Sequence, residues 1–552
     1  MTTAAAPAQS ARTPAYSWFV LGFLCFVYIF NFMDRQLMSV LTEFIKADLH
    51  LTDTQIGLMT GLLFALFYTI LGVFAGWIAD RSVRVWILAA GCFVWSLFTL
   101  LCGKATTFGV MATARMGVGV GEACGAPPSY SIVSDYFPAA KRGQALAIFS
   151  LGVPFGMALG AYLGPTIAAE FGWRWAFIGI GLAGMVTSII LPFAVREPKK
   201  GAMDVQLDIH MEEAPAVHIP QPFSKSLNEF FGRPMLLAAA VSCALAAFVG
   251  YALLNWTVGF MTREYTAAVW KTMTLNYALL LAIAMGLGTF LSGKVVDILA
   301  KKSPVNYALL PAAALTLAIP GFLGFVWAED MWTKLAFLCI PTFLNIFYLA
   351  PALAIVQNNV KATQRTISGA MLLLVLNLIG LGGGPTMIGI LSDHFNASNL
   401  AAASLTPDLC KTAVDAAKAT CTTASAKGLQ TAFYTLTPFY VVAVLAHLVS
   451  ALCIKKELVN GPPSAATMAR NAKIFKLVVG FGGIAIVLIA EGLIPGVGSP
   501  GQKDLAAIQG VMQGVELKPA IINGLVRDLL MTLMAVVAVM GVMDVVAKPK
   551  TA

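Results

Sequence analysis

Charged side chains interrupt two long apolar runs in the first quarter of the chain, where they could bind and release protons. One run contains Asp34 and Arg35, and the other contains Arg115 and Glu122. An ionisable side chain deep in an apolar helix costs several kcal/mol unless it faces a cavity or a partner. A buried carboxylate beside a guanidinium can exchange its proton near physiological pH, because burial and the neighbouring positive charge act on it in opposite directions. These residue types therefore predict a proton-dependent conformational change.

The spacing of these residues puts them on helix faces that can meet. Arg115 and Glu122 are seven residues apart, so they share one face and are separated by roughly 10 Å along the axis. Asn31 and Asp34 are three residues apart and also share a face. We predict that Asp34 and Glu122 are the protonatable groups and that Arg115 is a charge that moves between them. The alternative is a static buried ion pair. Arg35 is predicted to contact either substrate or a neighbouring helix.

Other polar residues in the apolar runs are uncharged and fall mainly in the second half of the chain. The candidates for substrate binding, with Asn31 and Arg35, are Tyr251, Asn255, Asn345, Tyr348 and Asn377. The alternative for each is a hydrogen bond between helices. A cavity between a charged first half and an apolar second half would suit an amphiphile better than a sugar.

Composition indicates that lipid is the solvent of this chain. Only 11% of its 552 residues are charged, against about 25% in soluble domains, and mean hydropathy is +0.80. The net charge of +9 comes from basic residues in short loops, so nucleic-acid binding is not expected. We predict an all-α membrane protein with lipid around it.

Apolar runs of about 20 residues divide the chain into two groups of six spans. The predicted spans lie near 18–41, 57–79, 85–103, 107–133, 145–168, 174–194, 235–261, 273–299, 306–327, 333–357, 367–393 and 431–453. Two further runs follow, near 474–494 and 525–546. The predicted domains are a first half over 1–194, a cytoplasmic linker over 195–233, a second half over 234–456 and two extra helices over 457–552.

Basic pairs in alternate loops predict that both termini lie in the cytoplasm. Similar segments, GWIADRSVR after span two and GKVVD after span eight, indicate duplicated halves that rock about a central site. Charged residues at the cytoplasmic helix ends are predicted to form a gate that latches the outward-open state. They are Asp80, Arg81, Arg84, Asp135, Arg142 and Asp297.

No residue cluster in the sequence indicates an enzyme, a metal site or a cofactor. The histidines are scattered, no catalytic spacing occurs, and no phosphate-binding Gly-x-x-x-x-Gly-Lys-Ser/Thr loop is present, so an ATP-driven pump is disfavoured. Cys410 and Cys421 share one polar loop and form either a disulfide or two free thiols.

Several stretches together resemble the bacterial branch of the Spinster family of the major facilitator superfamily. They are NFMDRQLMSV, ARMGVGVGEACGAPPSYSIVSDYFPAAKRGQALAIFSLGVPFG, FGWRWAFIGIGL and LNLIGLGGGPTMIGILSD. The resemblance implies the two-times-six-helix fold, a location in the bacterial inner membrane and, from the eukaryotic members, export of lysophospholipids or sphingolipids. It also implies that Asp34, Arg35, Arg115 and Glu122 act in proton coupling and substrate handling. The last two apolar runs depart from the family pattern.

The sequence leaves the substrate and the mode of action open between alternatives. The order Asn-aromatic-x-Asp-Arg in span one also resembles organic anion:cation symporters, so a small organic anion is the second candidate substrate. A transporter-like sensor without flux is a third possibility. We expect a monomer that binds an amphiphile and protons.

Overall fold

The computed structural model describes residues 14–79, 82–199, 223–265, 267–360, 365–412 and 415–475. Within these ranges every regular element is a helix, and eleven helices are long and apolar enough to cross a membrane. The expectation of an all-α polytopic membrane protein is confirmed. The two final apolar runs lie almost entirely beyond residue 475, outside the described residues.

The first half of the chain forms ten helices, because several predicted spans are broken into two segments. They are α1 Ala15–Val40, α2 Thr42–Leu49, α3 Asp53–Thr60, α4 Leu62–Ala79, α5 Arg84–Cys102, α6 Phe108–Glu122, α7 Ala126–Tyr136, α8 Ala139–Ser150, α9 Gly152–Phe171 and α10 Trp173–Ala194. We call this group the N half.

After a short helix, α11 Phe223–Gly232, the second half repeats this pattern of long and broken helices. Its helices are α12 Pro234–Glu264, α13 Ala267–Leu280, α14 Gly286–Ala300, α15 Asn306–Trp327, α16 Met331–Leu344, α17 Leu349–Asn359, α18 Arg365–Val375, α19 Gly382–Ala402, α20 Pro407–Thr412, α21 Asp415–Tyr434 and α22 Leu436–Asn460. We call α12 to α22 the C half. π-helical turns at Leu281–Met285 and Leu376–Leu381 join α13 to α14 and α18 to α19.

The predicted fourth span is two helices rather than one continuous helix. The chain turns at residues 123–125, between Glu122 at the end of α6 and Ala126 at the start of α7. Pro127 and Pro128 follow at once, and proline is tolerated in a first helical turn because the N–H groups there have no partner within the helix. Glu122 therefore lies at the end of α6, where the chain leaves the α-helix.

Each half is a bundle, and a small set of helix pairs joins the two halves. In the N half α1 packs on α9 and α5 packs on α6 and α10, whereas in the C half α12 and α15 pack on α22. Contacts between the halves are made by α3 with α19, α9 with α13 and α1 with α12. This is the symmetric arrangement expected of two duplicated halves.

Glycines allow the backbones of α3 and α19 to approach closely across the boundary between the halves. A Cβ atom on Gly57 would lie 2.6 Å from the carbonyl oxygen of Pro385, and one on Gly61 would lie 2.6 Å from the Thr386 hydroxyl. Gly61 separates α3 from α4, and there the Thr386 hydroxyl accepts the N–H of Leu62 at 3.2 Å. The same hydroxyl lies 3.0 Å from the carbonyl of Gly57. A side chain of the C half thus fills the break in span two.

Two contacts connect segments in the last part of the described chain. Residues 465–475 form a helix against α11, where Phe475 stacks on Phe231 with ring centroids 4.5 Å apart. After span eleven, Cys410 of α20 and Cys421 of α21 form a disulfide with Cα atoms 5.8 Å apart. Of the two states that the sequence left open for this cysteine pair, the structure shows the disulfide.

Candidate functional site

The four charged residues of spans one and four form two ion pairs between α1 and α6. Arg35 donates from Nε to the Glu122 carboxylate at 2.5 Å. Asp34 lies 3.7 Å from Arg115 Nη1, beyond hydrogen-bond range, and accepts instead from the hydroxyl of Thr99 on α5. The pairing is therefore crossed, because each carboxylate meets the guanidinium of the other helix.

The cluster is buried and electrically balanced. Asp34 and Arg115 each expose 2% of the side chain and Glu122 exposes none. The two positive and two negative formal charges of the cluster therefore lie away from water. Several polar atoms in it have no hydrogen-bond partner, namely Asp34 Oδ1, Glu122 Oε1, and Arg115 Nε and Nη1. A buried polar atom without a partner costs about 1–3 kcal/mol. The site is thus held together by charge and is incompletely hydrogen-bonded.

Arg35 is the member of the cluster that reaches toward the other half. Its side chain is 11% exposed, more than any other of the four. The guanidinium lies over the rings of Tyr68 at 4.4 Å, Phe32 at 4.9 Å and Phe64 at 5.0 Å. It also interacts electrostatically with Tyr251 on α12. A guanidinium at the boundary of the halves is able to bind an anionic group.

The structure places two more of the predicted residues at this boundary. Asn255 on α12 accepts a hydrogen bond from Ser39 on α1 at 2.8 Å, which joins the halves. Tyr348 lies at the end of a 3₁₀ turn and, like Tyr251, packs against the buried apolar core. Tyr251, Tyr348 and Asn255 therefore form the C-half side of the region that Arg35 faces.

The other predicted binding residues lie elsewhere. Asn31 is buried in the N half, 3.7 Å from the position that a Cβ of Gly125 would take. Asn345 donates to the hydroxyl of Tyr440 at 2.9 Å, an interhelical bond inside the C half. Asn377 lies within the π-helical turn before α19. Among the described residues, none of these three forms a side-chain hydrogen bond or an ion pair with the charged cluster.

The hydrogen bonds and ion pairs described for the predicted cytoplasmic gate join residues of the first part of the chain, up to Glu197. Arg84 donates to Asp135 at 2.5 Å and to Glu197 at 2.6 Å, and Arg142 donates to the Ser134 carbonyl at 3.0 Å. Asp297 is exposed on α14. Asp80 and Arg81 lie outside the described residues. At this end of the bundle, the Arg84 end, the described ion pairs do not cross between the halves.

At the opposite end, an ion-pair network that the sequence reasoning missed joins the halves. Arg263 of α12 donates to both carboxylate oxygens of Asp53 at 2.7 Å and to Glu43 at 2.7 Å. Asp53 also forms an ion pair with Lys46 and accepts a hydrogen bond from the Ser392 hydroxyl at 2.6 Å. We call this the Asp53 end.

A second carboxylate, that of Asp393, adds to the contacts that join the halves at the Asp53 end. Asp393 of α19 accepts the backbone N–H of Asp53 at 3.0 Å and that of Thr54 at 2.7 Å. These N–H groups begin α3, where no partner exists inside the helix, so a carboxylate from the other half caps them. The described ion pairs between the halves all lie at this end, so the structure is closed here.

Comparisons with known proteins identify this architecture. A family model described as Major Facilitator Superfamily matches residues 24–385. The chain belongs to the Major Facilitator Superfamily. Since this match covers more than half of the chain, the predicted superfamily fold of two six-helix halves is confirmed.

Individual relatives point to the Spinster branch. The chain is 29% identical over 387 residues to an "MFS-type efflux pump" of Mycolicibacterium smegmatis, covering 69% of this chain and 85% of that one. It is 26% identical over 406 residues to "Protein spinster" of Drosophila melanogaster, covering 71% of this chain and 64% of that one.

A solved structure supports the same relationship. The chain matches a bacterial homolog of the human lysosomal transporter Spinster, in an inward-facing and unoccupied conformation, with TM-score 0.71 and 28% identity. The match covers 82% of this chain and 99% of that one. The resemblance to the Spinster family is therefore confirmed, and the chain is a membrane transporter of the superfamily related to Spinster.

Proposed function

We propose that this transporter uses protons to drive an amphiphile of the lysophospholipid or sphingolipid type across a bacterial inner membrane by alternating access. The observation that carries the proposal is the charged cluster of α1 and α6, from which Arg35 reaches the boundary with the C half beside Tyr251. Both termini would then be cytoplasmic, and the chain would act as a monomer without a cofactor.

Charge balance explains how a proton could act. The two carboxylates and two guanidiniums cancel only while both carboxylates are ionised, and an unbalanced buried charge is strongly destabilising. Protonation of Asp34 or Glu122 leaves one guanidinium uncompensated. Release of Arg35 from Glu122 would then favour an anionic group beside it. Proton binding and substrate binding are thereby linked through one side chain.

The surroundings of Arg35 favour an amphiphile over a compact polar solute. Three aromatic rings, those of Phe32, Phe64 and Tyr68, cover the guanidinium on the N-half side. An apolar chain can pack on these rings while a charged head meets the arginine. A small organic anion is the second candidate, since a single accessible arginine also suits a carboxylate.

Closure at the Asp53 end supports alternating access. Ion pairs there join the halves, whereas at the Arg84 end Arg84 pairs with Asp135 and Arg233 pairs with Glu457, each inside its own half. With the N-terminus cytoplasmic, the Arg84 end is the inner one and this structure is closed to the outside. The gate predicted around Arg84 would join the halves only in the opposite state.

The test is uptake into proteoliposomes driven by a pH gradient, with lysophospholipids and small organic acids as competing substrates. Asp34→Asn and Glu122→Gln each remove one protonatable group and should abolish the response to the gradient. Asp48→Asn is the matched control, because Asp48 pairs with Arg174 at the surface of the same half. Unchanged gradient-driven uptake in both site variants would refute proton coupling, and preference for organic acids would favour the second substrate.

A further inference from the structure

Thr99 lies between the Asp34 carboxylate and a backbone carbonyl. The side chain is buried on α5, with 1% of its surface exposed. Its hydroxyl is hydrogen-bonded to Asp34 Oδ2 and lies 2.8 Å from the carbonyl oxygen of Trp95. Among the described residues no other group forms a hydrogen bond with the Asp34 carboxylate, since Oδ1 has no partner and Arg115 is 3.7 Å away.

A hydroxyl has one proton, so it cannot donate to both oxygens at once. When Asp34 is ionised, Thr99 must donate to the carboxylate. When Asp34 is protonated, its O–H can donate to the Thr99 oxygen, and the Thr99 proton then turns to the Trp95 carbonyl. Rotation about a single C–O bond exchanges these two arrangements, and a hydrogen bond to Asp34 is present in both.

We propose that Thr99 is the positioning residue that keeps Asp34 hydrogen-bonded in both of its protonation states. This inference rests on the proposed proton coupling. Other groups facing Asp34 are Arg115 and Glu122 from α6, Arg35 from its own helix and the thiol of Cys102 from α5. The two guanidiniums have only donor groups and an ionised Glu122 has only acceptor oxygens. Thr99 is the neighbour that can act first as donor and then as acceptor.

The variant that tests this is Thr99→Val, which keeps the shape of the side chain and removes the hydroxyl. A hydrogen bond to a charged group is stronger than one to a neutral group by about 1 kcal/mol or more. Loss of the hydroxyl therefore destabilises ionised Asp34 more than protonated Asp34. The pH midpoint of gradient-driven uptake should then move upward by about one unit. Thr99→Ser, which retains a hydroxyl, should restore the wild-type midpoint.

Thr113→Val is the matched control, because Thr113 also donates to the carbonyl four residues earlier, Gly109, at 2.9 Å but contacts no carboxylate in the described structure. Its midpoint should equal that of wild type. A wild-type midpoint in Thr99→Val, with uptake abolished in Asp34→Asn, would overturn the role of Thr99 and leave proton coupling standing. Persistent gradient-driven uptake in Asp34→Asn would instead overturn the proposed function.

Infrared difference spectroscopy of the purified protein gives a second readout that needs no transport. The band of the protonated carboxyl group is assigned to Asp34 by its disappearance in Asp34→Asn. Loss of the Thr99 acceptor should move this band to higher frequency in Thr99→Val and leave it in place in Thr99→Ser. An unmoved band in Thr99→Val would contradict the inference even if that variant transports poorly.

Discussion

Arg263 donates two parallel hydrogen bonds to the carboxylate of Asp53, and this pair joins the N half to the C half. Both side chains are nearly fully buried, with 4% and 3% exposed. The pair lies at the end of the bundle away from Arg84, beside the α3–α19 contact. It therefore has the position of a lock that must break before this end can open.

Arg263→Gln should shift the protein toward a state open at the Asp53 end. Removal of one member of a buried pair costs about 3–5 kcal/mol, because the remaining charge is left uncompensated. Spin labels at the exposed residues Lys104 and Ser404 would report the separation of the halves there. Arg174→Gln, which breaks only a pair inside the N half, is the control. A wild-type distance distribution in Arg263→Gln would show that the pair is no lock.

Gly57→Ala should hinder closure of the same end by a steric route. The added Cβ would lie 2.6 Å from the Pro385 carbonyl oxygen, a distance at which backbone must move. Gly72→Ala in the same span is the control, since nothing lies within 4 Å of a Cβ there. We expect slower uptake and a wider Asp53 end for Gly57→Ala alone. Equal behaviour of the two variants would mean that α3 and α19 do not need this close contact.

Arg35→Gln should destabilise the protein increasingly as the pH rises. The substitution leaves Glu122 buried without its guanidinium, and the penalty is greatest when that carboxylate is ionised. Adding Glu122→Gln removes the unpaired charge and should recover part of the loss. The measurement is the unfolding temperature in detergent over a pH series. The prediction fails if the single and double variants unfold together at high pH.

Cys410 and Cys421 should contribute to local stability but not to transport. The disulfide closes a loop with a sequence separation of 11, and a loop of that size corresponds to roughly 3 kcal/mol in the chain-entropy model. Reduction, or Cys410→Ser, should therefore make the α20–α21 region more sensitive to protease while gradient-driven uptake persists. Unchanged proteolysis after reduction would indicate that packing alone holds the region.

Helix periodicity was sufficient to predict most of the fold and the core of the candidate site. The charges of spans one and four could be predicted to meet, because lipid excludes them and the spacing of Arg115 and Glu122 gives those two a common face. The partners could not be predicted. The rotation of each helix about its axis, relative to its neighbours, determines that Arg35 pairs with Glu122 and that Asp34 is hydrogen-bonded to Thr99. The periodicity of the sequence does not give this rotation.

The lock at the Asp53 end was missed for a different reason. Asp53 and Arg263 lie at the ends of spans, where charged residues are usual, and they are 210 residues apart. The local signal was limited to the capping box formed by Thr52 and Gln55, which fixes the start of α3. The broken fourth span, in contrast, was visible as Pro127-Pro128 and could have been predicted from those residues.

The crossed pairing also constrains how the chain is made. Glu122 follows Arg35 by 87 residues, so the first helix emerges from the ribosome long before its charged partners exist. A charge in lipid without a partner costs several kcal/mol, so we expect the first helix to stay at the insertion machinery until the fourth span is synthesised. Biogenesis of the N half is therefore a cooperative event of four helices, and a nascent chain truncated before residue 108 should be retained by the translocon rather than released into lipid.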